Sequence, residues 1–340
     1  MSWNKIKIIT QSEEFENAQA PIIISASRST DIPAFYSDWF FQRLKEGYVK
    51  WTNPFNGKPI YVSFQNTRLI VFWSKNHKPI IEHLNYLDDK QLNYYFQFTL
   101  NDYDAEKFEP RVPNVQTRIE TFIKLSEKVG KEKVIWRFDP LILTDKMGVY
   151  ELLRKVENVG NQLKNYTNKL VFSFADIKTY RSVQNNLRNN SIPYQEFNYQ
   201  TMTKFAEALQ RLNYNWNFEI ATCAEEILLN NYGIAQNKCI DDDLIIKLFS
   251  QDKVLMDFLG VKVTPPDMFN SNNVVAKEKD NKDKGQRQFC GCIKSKDIGE
   301  YNTCPHLCKY CYANKIPQKK ILENWELYKK NKNADTITNR

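Results

Sequence analysis

The sequence predicts an α/β fold in which a parallel sheet rolls into a (βα)6-type, partial TIM-like barrel, and three observations carry that prediction. Six apolar runs of strand length recur between residues 21 and 262, each followed by a helical pattern. The first of these runs is continuously apolar rather than alternating, the pattern of strands buried on both faces. Polar residues gather just after several of them, at the C-terminal strand ends where such barrels collect their chemistry.

Taken in order, residues 1–20 are polar and read as an N-terminal arm. Pro21-Ile22-Ile23-Ile24-Ser25-Ala26 is the first strand, and a helix over 34–46 carries Tyr36, Phe40 and Leu44 on one stripe before Gly47 stops it. Asn53-Pro54-Phe55-Asn56-Gly57 marks a turn between two short extended segments, so 51–64 reads as a hairpin decorating the barrel rim. The run 69–73 precedes a helix over about 77–87, and 94–99 precedes the stripe Val115, Ile119, Phe122, Ser126, Val129. Residues 134–138 lead to a helix around Leu152, Leu153 and Val156, and 170–174 to one carrying Met202, Phe205, Leu209 and Leu212, with Thr201 as its N-cap. Residues 217–222 form the sixth strand, and Asp241 is set to cap a helix over 242–249. The barrel thus spans 21–262; residues 263–288 turn polar and read as a loop or lid, and 289–340 as a C-terminal cysteine-rich segment with a helix over 316–329. Trp39, Phe40, Trp73 and Trp136 fall within elements and read as core.

With 340 residues, 42% of them hydrophobic, the chain is long enough to bury a sizeable core. Its longest apolar runs are far below a membrane span and no signal core follows Met1, so the expectation is a cytoplasmic protein with no membrane partner. A net charge of +8 permits an acidic partner such as nucleic acid or a phosphorylated metabolite. All seven cysteines lie from Cys223 onward, a clustering that favours metal binding over disulfides.

Three of them, in Cys304-x3-Cys308-x2-Cys311, sit on one tight loop and can close on one metal centre whose fourth position has no obvious ligand in the loop. The alternative is structural zinc with His306 as fourth ligand. Cys223, Cys239, Cys290 and Cys292 are the number that closes a second site, as zinc or as a [4Fe-4S] cluster, unless Cys223 and Cys239 are small buried residues. Around the predicted mouth, Arg28, Thr30, Asp31, Arg137, Asp139, Asp176 and Glu225 are candidates for a cofactor or substrate pocket. Their alternative is an internal capping and ion-pair network, such as Arg28 with Asp31 and Arg137 with Asp139.

The cysteine loop, with Tyr310 just before its last thiol, resembles the signature of radical S-adenosylmethionine enzymes. With Tyr301-Asn302 and Tyr312-Ala313 it is similar to the loop of spore-photoproduct-lyase-like enzymes, and from Ser25-Ala26-Ser27-Arg28 to Tyr312-Ala313-Asn314 the chain resembles a bacterial family known as a domain of unknown function. The first resemblance implies a [4Fe-4S] cluster on Cys304, Cys308 and Cys311, S-adenosylmethionine on its open iron, and Tyr310 near the adenine. It also implies a reducing partner such as flavodoxin or ferredoxin, and a 5′-deoxyadenosyl radical that abstracts hydrogen from a substrate left open. Likeness to the lyase loop points toward nucleic-acid repair or modification. Enzymes of this kind usually carry the loop after the first strand, whereas here it comes last. Either the barrel is permuted, with 297–329 in the slot of the first unit, or the segment is a flap across the mouth. The Gly-Gly-Glu that commonly receives the cofactor's amino group is missing from the end of the second strand. The rival classes are a barrel with a C-terminal structural zinc module and an electron-transfer iron-sulfur protein.

Overall fold

Runs such as Ile23-Ile24 and Leu69-Ile70-Val71-Phe72 can bury both faces only in a sheet covered on both sides, and they do so here. The computed structural model of the chain describes residues 3–264 and 274–338. Eight parallel strands form one sheet: β1 Ile23–Ala26, β2 Leu69–Ser74, β3 Asn93–Thr99, β4 Val134–Leu141, β5 Lys169–Phe174, β6 Glu219–Thr222, β7 Ile234–Gln236 and β8 Lys296–Asp297. Their spatial order is β7-β6-β5-β4-β3-β2-β1-β8. The six predicted strands are all present, and β7 and β8 extend the sheet at its two edges. Among the described residues no strand pairing joins β7 to β8, although Ile293 N donates to Ile240 O at 3.1 Å between the segments that flank them.

The described residues hold ten α-helices: α1 Ile32–Phe35, α2 Ser37–Glu46, α3 Leu84–Asp89, α4 Val115–Val129, α5 Val149–Leu163, α6 Arg181–Asn189, α7 Tyr199–Asn213, α8 Asp242–Phe249, α9 Lys253–Leu259 and α10 Gln318–Lys330. The helix predicted over 34–46 is split at Tyr36, whose backbone N–H closes α1 on Ile32 O. Gly47 ends α2 in the left-handed conformation, at φ +86°, as predicted. The cap of α7 is Asn198 rather than Thr201; Thr201 occupies the third helical position and returns the reciprocal bond of a capping box. Asp241 caps α8 by accepting from Asp243 N and Leu244 N.

Residues 1–20 are more than an arm. Lys5–Ile9 and Phe15–Gln19 form a hairpin that continues into Pro59–Ser63 and Tyr48–Thr52, giving a separate four-stranded sheet. The 51–64 hairpin therefore belongs to that sheet, not merely to a rim. Of the expected lid over 263–288, residues 265–273 lie outside the described residues, while Val261–Thr264 and Val274–Lys277 pair as antiparallel strands.

The two sheet faces differ. Ile24, Phe72, Phe96, Trp136 and Phe172 pack toward the helical layer that includes Phe40, Phe122, Leu152 and Phe205. Ile23, Val71, Tyr95, Ile135 and Val171 face α8 and α9 through Ile245, Phe249, Leu255 and Leu259. These two helices sit at the foot of the sheet: Asp252 accepts from Arg68 Nε at 2.9 Å and Asn93 Nδ2 at 2.7 Å, beside the starts of β2 and β3. Toward the C-terminal strand ends the inward positions turn polar, and there the thiols collect. Among the described residues no helix is long and apolar enough to cross a membrane.

Candidate metal centre

The cysteine loop is delivered to the strand ends by β8, which pairs parallel with β1. One carboxylate fixes the junction. Asp297 accepts from Ser25 Oγ at 3.0 Å, Ser27 Oγ at 2.7 Å, Arg28 N at 2.8 Å, Ser29 Oγ at 3.3 Å and Gly299 N at 3.0 Å. The approach is close enough that a Cβ on Gly299 would lie 1.9 Å from Ser27 Oγ. Arg28 is accordingly paired with Asp297, at 3.9 Å, and not with Asp31. Beyond the junction, Tyr36 Oη donates to Thr303 O at 2.5 Å, Asn314 Nδ2 to Cys304 O at 2.9 Å, and Lys309 N to Phe108 O at 2.9 Å.

Within the loop Cys308 is buried and Cys304 and Cys311 are half-buried. Burial pushes all three thiols above their ordinary range. Backbone N–H groups of His306 and Asp31 face the Cys304 sulfur, and those of Asn314 and Ala313 face Cys311. Both nitrogens of His306 are engaged by oxygens away from the thiols: its Nε2 meets Asp31 Oδ2 at 2.9 Å and its Nδ1 meets Arg111 O at 3.2 Å.

Tyr310 lies in the core beneath the loop. Its hydroxyl receives Lys75 Nζ and Asn101 Nδ2, each at 2.9 Å, and donates to Glu109 Oε1. Glu109 also pairs with Lys75 at 2.7 Å and with the fully buried Arg118 at 3.1 Å. Burial alone would raise the Glu109 carboxyl, but Lys75 and Arg118 hold it down at about 2. Asp31 belongs to the same scaffold: it caps α1 at Ala34 N and accepts from Lys75 N and His306. Against burial, the hydrogen bond and charge of His306 keep Asp31 below its usual range.

The other four cysteines come from three separate segments, and the structure brings them together. Cys223 Sγ lies 3.4 Å from Cys239 Sγ, Cys292 Sγ accepts from the backbone N–H of Cys239, and Cys290 stands two residues before Cys292. N–H groups point at two of the sulfurs: Asn237 Nδ2 at 3.1 Å and Arg137 Nη1 at 3.2 Å to Cys239, and Cys239 N at 3.2 Å and Ile240 N at 3.5 Å to Cys292.

Between the two thiol sets lies the polar mouth. Arg137 is buried, bonds Asp139, and stacks on Trp73, which also carries Arg28. Ser173 donates to Asp139. Glu225 accepts from Phe174 N at 2.9 Å, and burial with nearby Asp139 pushes it up to about 7. Asp176 lies outside this group on the exposed rim, hydrogen-bonded by Thr179. Thr30 is buried beside Gly299, with no hydrogen-bond partner for its hydroxyl among the described residues. Asn101, Glu109, Arg118, Asp297 and Arg287 were not singled out from the sequence. Arg118 lies in α4, Asp297 in β8 and the others in loops, and only the fold shows what they face.

Among the described residues, the one trio of His, Cys, Asp or Glu ligand atoms mutually within 4.8 Å belongs to Asp241, Asp242 and Asp243. These carboxylates are matched by Lys169, Lys238 and Lys277, and Asp241 is the N-cap of α8. The loop thiols are thus not drawn to the spacing of about 3.8 Å that tetrahedral bonds of about 2.3 Å to zinc impose.

The model of a family described as a domain of unknown function, DUF1848, matches residues 23–313, from the start of β1 to just past Cys311. The chain belongs to that family. No curated protein matches it. Among solved structures it is similar to a putative alpha-L-fucosidase from Bacteroides thetaiotaomicron VPI-5482, at 8% identity over 62% of this chain and 94% of that one, with a TM-score of 0.26. A likeness so slight says nothing about the chemistry of this family member.

Proposed function

We propose that this chain is a radical S-adenosylmethionine enzyme on a permuted, barrel-like α/β scaffold, with Cys304, Cys308 and Cys311 as ligands of its [4Fe-4S] cluster. The observation that carries the reading is the pairing of β8 with β1, which sets a three-thiol loop over the strand ends while both nitrogens of His306 are bonded elsewhere. Three thiolates with no fourth protein donor fit a cluster that leaves one iron open. They fit structural zinc poorly, since zinc in such sites wants a closed set of four.

When bound, the cluster with S-adenosylmethionine would supply one-electron reductive cleavage of the cofactor to methionine and a 5′-deoxyadenosyl radical, the electron coming from a flavodoxin- or ferredoxin-type donor. The protein's own part is positioning. Asp297 pins the loop to β1, the Lys75–Glu109–Arg118 group holds Tyr310 below it, and Asp31 holds His306. Arg28, Arg137, Asp139 and Glu225 supply charged groups around the mouth for the cofactor's amino acid end or for the substrate. Tyr310 acts as an anchor of the loop through its hydroxyl.

The test is protein reconstituted without oxygen and given dithionite and S-adenosylmethionine. Iron and sulfide with formation of 5′-deoxyadenosine are expected, and both the activity and the loop's share of iron should vanish in a Cys304/Cys308/Cys311→Ala triple variant. Undiminished 5′-deoxyadenosine from that variant would overturn the assignment. Zinc bound at the loop thiols with no cleavage would favour the structural module instead.

A further inference from the structure

Cys223 follows β6, Cys239 follows β7, and Cys290 and Cys292 precede β8, so the four thiols stand where the two edges of the sheet come near each other without pairing. Among the described residues, one backbone–backbone hydrogen bond joins those edge segments, Ile293 N to Ile240 O at 3.1 Å. Tyr95 Oη and Gln97 Nε2, from the central strand β3, both donate to Cys239 O at 2.8 Å and hold that segment across the inner face.

We propose that Cys223, Cys239, Cys290 and Cys292 ligate a second metal centre, closed by four thiolates, that clasps the β7 edge of the sheet to the β8 edge. This goes beyond the radical reading and does not rest on it. Four features of the site carry the proposal.

Cys223 Sγ lies 3.4 Å from Cys239 Sγ, and Cys292 Sγ lies 3.2 Å from Cys239 N, with Cys290 two residues before it. No three of these sulfurs lie mutually within 4.8 Å among the described residues, so a metal would draw them inward. Next, two sulfurs each receive two N–H donors, from Asn237 and Arg137 on Cys239 and from the backbone of Cys239 and Ile240 on Cys292. Neutral thiols are weak acceptors, and donors converging in this way suit sulfur that carries negative charge. Then, the buried Arg137, while paired with Asp139, also reaches the set directly, its Nη1 lying 3.2 Å from Cys239 Sγ, so a cation stands against the thiolates a metal would require. Last, the residue between Cys290 and Cys292 is Gly291, where a Cβ would lie 2.8 Å from Lys238 Cγ, so the two ligand-bearing segments are pressed together.

A tetrahedral zinc ion and an iron-sulfur cluster share this ligand chemistry, and both are soft centres that select thiolate. The three loop cysteines must be absent for the second centre to be read alone. The full-length Cys304/Cys308/Cys311→Ala variant is therefore purified without oxygen, split, and offered either zinc alone or iron with sulfide. The expected result is one centre per chain: either one zinc without sulfide, or about four irons with about four sulfides and the visible absorption of a cluster. Adding Cys290→Ser should weaken retention of that metal at least tenfold against a chelator, and this single addition keeps the test open if replacing all four thiols prevents folding. Cobalt(II) added to the metal-free variant should give sulfur-to-metal charge-transfer bands that fade in the Cys290→Ser form. A variant that takes up none of these metals, with all four thiols freely titratable or with Cys223 and Cys239 oxidised to a disulfide, overturns the proposal. Loss of 5′-deoxyadenosine formation in the same variant bears only on the loop, so the two readings fail separately.

Discussion

Cys304, Cys308 and Cys311 reach their places within eight residues of chain, whereas Cys223, Cys239, Cys290 and Cys292 are drawn from three segments spread over seventy. The loop holds its shape through local backbone bonds and an acid-base scaffold beneath it; the four-thiol set is gathered only because the sheet brings its edges near each other. The loop should therefore tolerate loss of its thiols without unfolding, while the four-thiol set should couple directly to the stability of the fold. A metal bound only by the folded chain stabilises it by mass action, so removal is felt at the midpoint of unfolding.

The sharpest break of that comparison is a pair of single substitutions. Cys308→Ala should reduce 5′-deoxyadenosine formation to background and shift the urea midpoint by no more than a buried Cys→Ala change costs, about 1 kcal/mol. Cys239→Ala should lower the midpoint by several times as much in metal-loaded protein. Both are read from one anaerobic denaturation series with a product assay. Equal losses of stability would remove the distinction between the two sets.

Next in size is the scaffold under the loop. Glu109→Gln leaves Lys75 and Arg118 buried without their common carboxylate, and breaking a buried pair in this way costs about 3–5 kcal/mol. The same group sets a pH dependence. Its folded pKa of about 2 lies below the ordinary 4.5, so its contribution is complete above about pH 4.5 and is lost as pH falls toward 2. Denaturation midpoints between pH 5 and 2.5 should fall in the native chain and fall less in the Gln variant. A parallel fall in both would assign the acid lability to other carboxylates.

Gly299→Ala tests the junction between the two regions. The added methyl meets Ser27 Oγ and Cβ, at 1.9 and 2.6 Å, so β8 must move away from β1; overpacking of this kind costs about 1–3 kcal/mol. Product formation should fall more than metal retention at the four-thiol set, because the loop hangs on this junction.

The division between local and assembled sites also explains what could be read from the chain alone. Six strands were legible because apolar runs such as Leu69-Ile70-Val71-Phe72 need only neighbours to declare themselves, and the loop was legible because its thiols are adjacent. β8 was not: two residues, Lys296 and Asp297, carry no periodicity, and Asp297 acquires its role only when Ser25, Ser27 and Ser29 arrive from the other end of the sequence. The strands at Lys5–Ile9 and Phe15–Gln19 were hidden for a related reason, since they are half exposed and find their partner in a hairpin some forty residues later. Membership of Cys239 in a site with Cys292 depends on Tyr95 and Gln97 reaching across the inner face, a relation that no spacing encodes.

The smallest expected effect falls on the assembled site. Gly291→Ala would bring a Cβ to 2.8 Å from Lys238 Cγ and 3.5 Å from Asn237 O. The lysine stem can give, but its Nζ is held by Asp242 at 2.8 Å and Asp243 at 2.7 Å, so the segment rather than the side chain takes part of the shift. Asn237 donates to Cys239 Sγ, and the backbone of Cys239 and Ile240 to Cys292 Sγ, so a displacement here lengthens those bonds together. Stability should change by less than about 1 kcal/mol. Release of metal from the four-thiol set to a chelator should quicken several-fold, with 5′-deoxyadenosine formation unaltered. If release is unchanged while the protein is measurably destabilised, Gly291 serves packing alone and the thiols behind it are not held by a shared ion.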